Sequence, residues 1–155
     1  MNTIKKYDVL ITLAFLFVFL GLLSLRMSWK INYNFDNKLI YICDNVIDIY
    51  NNYTSGNMDN SSYEKFLNNE LDKANELANN NINARTDYIY SIMQVQTDIN
   101  IMITDEENGY NAYYDVCNLI IEHNVTFTFG IIFLSIGIIA IIGKVVLIII
   151  KKRNA

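Results

Sequence analysis

Two blocks of the chain carry almost no charge: Val9–Leu25 has none in seventeen residues, and Phe127–Ile150 has only Lys144 in twenty-four. A helix needs roughly 17–25 apolar residues to cross the hydrocarbon core of a bilayer. A crossing segment must also be helical, because only internal hydrogen bonds can satisfy its backbone there. Neither block suits the core of a soluble domain. The chain therefore reads as two transmembrane helices, 9–27 and 127–150, joined by a segment 28–126. A secretory signal peptide is the competing reading of the first block, since Lys5 and Lys6 supply a basic start. The small-x-small cleavage pattern is missing around Leu22–Met27, which favours an uncleaved anchor.

Basic residues near the span ends set the expected orientation. Lys5 and Lys6 precede the first block, and Lys151, Lys152 and Arg153 follow the second, so residues 1–8 and 151–155 are expected in the cytoplasm. The segment Arg26–Thr126 holds six Lys and Arg against fifteen Asp and Glu, a net of −9 against −4 for the whole chain. That acidic segment is expected outside. The pI near 4.9 argues against a nucleic-acid partner. Trp29, Phe127 and Phe129 stand where aromatic side chains anchor a helix at the membrane–water boundary.

The outer segment reads as all-α. It has no Pro, and its glycines Gly56 and Gly109 lie in polar clusters that read as turns. Phe35, Leu39, Ile42, Val46, Ile49 and Tyr53 recur in steps of four and three, the spacing of a helix-packing seam. A second seam runs Leu67, Leu71, Ala74, Ala78, then after polar Asn81 and Arg85 continues as Tyr88, Ile92, Val95, Ile99 and Met102. A straight helix from Ser62 to Thr104 would be about 64 Å long, far more than the difference in height between the turns it would have to join. The polar run Asn79–Ala84 supplies the break, with a kinked helix as the alternative that the continuous seam leaves open. Four helices are expected, at 28–53, 62–79, 84–105 and 110–126, in an antiparallel bundle whose first and last members continue into the spans.

Cys43 and Cys117 are the chain's two cysteines. Counted from the cytoplasmic anchors, Cys43 is 37 residues above Lys6 and Cys117 is 34 above Lys151. Those heights agree to about 4.5 Å at ~1.5 Å per residue. A disulfide clamping the first outer helix to the fourth is one expectation, and two buried thiols acting as small apolar groups the other.

Among other residues, Lys144 is a cation within a span, about 10 Å from its cytoplasmic end. It can snorkel to the interface, or pair with Asp8 or with a partner protein. Gly130, Gly137 and Lys144 recur every seven residues and share a helix face, where small residues let another helix approach closely. Asp105, Glu106 and Glu107 read as a solvated turn without the spacing of a calcium loop. The Asn-x-Ser/Thr triplets at Asn52, Asn60 and Asn124 are about what so Asn-rich a chain gives by chance. His123 is the sole histidine, so no multi-histidine metal site is expected. No catalytic motif is visible, and neither an enzyme activity nor a cofactor is expected. Tyr110, Tyr113 and Tyr114 suit bundle core and rim, or an amphipathic contact surface.

This layout of basic start, span, helical outer segment continuous with both spans and basic exit resembles the sensory module of chemoreceptor-type four-helix bundles. The resemblance is architectural and brings no site residue with it. Only Lys151–Ala155 follow the second span, which leaves such a module's output region unsupplied by these residues. The leading expectation is a small non-enzymatic membrane protein whose acidic helical segment binds a protein partner or a second copy, as an accessory subunit of a membrane complex. The alternatives are a ligand sensor or regulator signalling through a partner and, last, a membrane-active hairpin such as a pore former or viral envelope protein.

Overall fold

The computed structural model describes residues 2–28 and 38–153, with side chains from Val9 onward. Trp29, residues 29–37 of the first expected outer helix and the Asp8 side chain lie outside the described residues. Those described form five helices and no strand: α1 Asn2–Met27, α2 Lys38–Thr54, α3 Asn60–Asn80, α4 Thr86–Thr104 and α5 Gly109–Arg153. The range of α5, 45 residues, takes in both the fourth expected outer helix and the second apolar block. The chain divides into two compact units, Met1–Asn32 with His123–Ala155, and Tyr33–Glu122.

In the first unit, α1 and α5 are long and apolar enough to cross a membrane, with mean hydropathies of 2.4 and 2.8 in their most apolar stretches. Small residues dictate how they meet. A Cβ added to Gly21 would lie 2.6 Å from the Leu134 backbone nitrogen, and one on Gly137 would lie 2.9 Å from both the Ala14 carbonyl and the Val18 nitrogen. One on Gly130 would lie 2.7 Å from the Leu25 side chain. As numbers rise along α1 they fall along α5, so the helices are antiparallel, with backbones nearly touching where no Cβ stands between them. Ala14 is buried there, while Phe15, Phe19, Ile139 and Leu147 all face outward. Phe17 and Phe129 flank Phe133, with ring centroids 5.9 and 5.8 Å from it.

In the second unit, each helix turns one apolar stripe inward. α2 buries Leu39, Ile42, Cys43 and Val46. α4 buries Tyr88, Ile92, Val95, Ile99 and Met102, the residues its four-three spacing selects. α3 departs from the expected seam. It buries Tyr63, Leu67, Glu70, Ala74 and Leu77, leaving Leu71 and Ala78 half-buried at the flank. Starting the seam at Tyr63 rather than Leu67 rotates the buried stripe, and that rotation brings a carboxylate inside. The break between α3 and α4 falls at 81–85: Asn81 N donates to the Ala78 carbonyl and Ala84 N to the Asn81 carbonyl. From α5, Ala112, Val116 and Leu119 complete the core.

Candidate functional site

Four helix ends converge on one cavity of about 480 Å³: Thr54 closing α2, Asn60 opening α3, Thr104 closing α4 and Gly109 opening α5 all line it. Local chemistry fixes each turn. Gly56 adopts a φ of 76°, a left-handed conformation that glycine takes without strain, and its N–H donates to the Tyr53 carbonyl. Asp59 caps α3, accepting from the Ser62 backbone N–H at 2.8 Å and from the Ser62 hydroxyl at 3.1 Å. Asp105 accepts from the Asn108 N–H at 3.1 Å and from its side-chain amide at 2.7 Å. These donors hold both carboxyls below the usual carboxylate range. Asp105 is therefore committed to a turn, and among the described residues no group of three or more His, Cys, Asp or Glu could hold a metal ion.

Tyrosines wall the cavity. Tyr53 and Tyr63 stack with centroids 4.1 Å apart, and the Tyr63 phenol donates to the Met102 carbonyl at 3.5 Å. Tyr50 stacks on Tyr113 at 4.3 Å, and the Tyr113 phenol donates to Asn51 Oδ1 at 3.2 Å. Burial, followed by the neighbouring phenols, pushes Tyr63 up to about 12 and raises Tyr50, so these rings stay neutral. Tyr110 stands at the mouth, 62% exposed. Glu64 and Glu106 lie exposed on the rim, Glu64 accepting from the Asn60 amide at 3.1 Å.

Below the cavity-bearing turns, the core holds charge. Glu70 is 4% exposed and fully engaged, taking the Lys73 ammonium at 2.6 Å and the Asn45 amide at 3.3 Å. Asp98 is 6% exposed, and among the described residues its Oδ2 has no hydrogen-bond partner. Burial and then Asp115 push its carboxyl up to about 6. Cys43 is wholly buried and Cys117 half-buried, and both are thiols here. Burial, followed by Asp44 and Asp98, pushes Cys43 up to about 12, and Cys117 is near enough to act on it as well.

The structure thus brings Gly130 and Gly137 against α1 of the same chain and leaves Cys43 in the core and Cys117 half-buried, both as free thiols. Gly143 has open space beyond it, Lys144 is half-buried, Phe127 is half-buried and Phe129 is exposed. Asn124 is exposed, while the Asn52 amide donates to the Asp48 carbonyl. The tyrosine cavity and the two core carboxylates are additions to the sequence reading. Asp98 is detectable in retrospect, since it directly precedes seam residue Ile99, and so is Tyr63, four residues before Leu67. Compared with known proteins, the chain matches no family, no curated protein and no solved structure.

Proposed function

We propose that this chain is a small integral membrane protein with two spans, 9–27 and 127–150, and both termini in the cytoplasm. Its acidic segment 28–126 is an antiparallel four-helix bundle outside the membrane that serves protein–protein assembly, with a membrane-protein partner or a second copy. The reading assigns it an accessory role and no catalysis. One observation carries it: the apolar stretches of α1 and α5 are only 11% and 6% buried, so most of their Leu, Ile, Phe and Val surface needs a covering that lipid provides. The basic ends and the −9 segment between them support the orientation.

A Cys43–Cys117 bond belongs to the same reading, supported by the matching heights of the two thiols along their helices. Mass spectrometry without reductant, on protein from its native compartment, should find the two cysteines joined; two free thiols would remove the bond from the account. For the assembly role, native membranes solubilised in mild detergent should yield the chain in a stoichiometric complex. A monodisperse monomer that captures no membrane protein would refute it. The tyrosine cavity favours a second reading, ligand detection with signalling through a partner.

A further inference from the structure

The cavity at the four helix ends combines two features that together select one ligand chemistry. Tyr50, Tyr53, Tyr63 and Tyr110 line it, with Tyr53 and Tyr63 stacked on each other and Tyr50 on Tyr113, and Glu64 and Glu106 supply negative charge at the rim. Among the described residues no Lys or Arg lines it. Aromatic faces attract cations through the ring quadrupole, most strongly when the cation is weakly hydrated and the site partly dry. The helix dipoles do not select a sign here, because α2 and α4 end at the cavity while α3 and α5 begin there. The Tyr63 phenol remains neutral, and Thr54, Asn60 and Thr104 make the lining partly polar. A volume of about 480 Å³ falls within the roughly 300–1,000 Å³ typical of small-molecule sites.

We propose that this tyrosine-walled, glutamate-rimmed cavity binds a small organic ammonium ion of the choline class, with the alkylated nitrogen against the tyrosine faces and its charge balanced by Glu64 and Glu106. A metal ion is the wrong guest, because the lining offers two carboxylates and no group of three or more ligands among the described residues. A phosphocholine headgroup is disfavoured, since its phosphate would meet the same glutamates. The site lies wholly within Tyr33–Glu122 and rests on neither the membrane nor the assembly reading.

The test uses the full chain in an uncharged maltoside detergent, titrated calorimetrically with choline chloride. Saturable binding is expected, with no saturable heat from tert-butylethanol, the neutral carbon isostere of choline. Glycerophosphocholine, the headgroup arm, should bind more weakly than choline. Tyr110→Leu and Glu106→Gln sit on exposed positions and should each weaken choline binding about three- to tenfold while leaving the melting temperature in place. Tyr53→Phe keeps the ring and should keep binding. Absence of saturable choline binding, equal binding of the neutral isostere, or affinity unchanged in both weakening variants would overturn the proposal, and tighter binding of glycerophosphocholine would reassign it to a lipid headgroup.

Discussion

Asp98 sits where an apolar residue would serve packing better. Its carboxyl is 6% exposed, with Oδ2 unpartnered among the described residues and Asp115 near enough to disfavour its charge, and its folded-state pKa rises to about 6. In the unfolded chain the same group titrates near 3.9. The folded state therefore holds the proton more tightly, so the charge penalty of Asp98 is absent below about pH 4, grows between about 4 and 6, and levels off above that. Asp59 and Asp105 behave in the opposite sense, since their carboxyls are held below the usual range and their contribution is lost only in stronger acid. The windows are separate, which makes a difference measurement clean. Asp98→Asn should raise stability at neutral pH by about 1–3 kcal/mol and have little effect near pH 4. Thermal melts of both proteins across that range check it; a gap that does not widen with pH would show that the carboxyl is solvated. Glu70 illustrates the contrast, because Lys73 and Asn45 satisfy it and the same burial leaves no oxygen unpaired.

Among the elements, α1 and α5 carry the sharpest consequence of sequence for packing. The seven-residue recurrence of Gly130 and Gly137 was legible as a close-approach face, but spacing says which face is open and not what fills it. The occupant is α1, met at Gly21 and Ala14. Gly21 is a single glycine in an apolar run and gave no periodic signal of its own. Gly21→Ala and Gly137→Ala each put a methyl within 3 Å of a backbone atom on the opposing helix, which overpacking makes worth about 1–3 kcal/mol. Gly143→Ala meets open space and should stabilise slightly through helix propensity. Resistance to heat in detergent should rank the three variants in that order; a Gly143→Ala variant as damaged as the other two would contradict the packing. The α3 seam was missed by one position for a comparable reason. Leu71 fits the four-three pattern as well as Glu70 does, and only the partners of Glu70, one of them on α2, make the polar choice tolerable.

For the whole molecule, most of the helical content was readable, because long apolar blocks and four-three spacing are strong local signals. The turns between the helices of the second unit were placed within a few residues, with the starts of α3 and α4 displaced by the cap at Asp59 and the turn at 81–85. The tyrosine cavity was not readable, since its walls come from residues up to sixty apart that only the convergence of four helix ends collects. The central claim is the two-span arrangement with the acidic segment outside. Its most direct test is labelling with a membrane-impermeant maleimide of intact cells expressing Ser55→Cys or Ala155→Cys, each compared with the unsubstituted chain. The account predicts that Ser55→Cys is labelled on intact cells and Ala155→Cys only after permeabilisation. Equal labelling of both positions on intact cells, or labelling of Ala155→Cys alone, would contradict it.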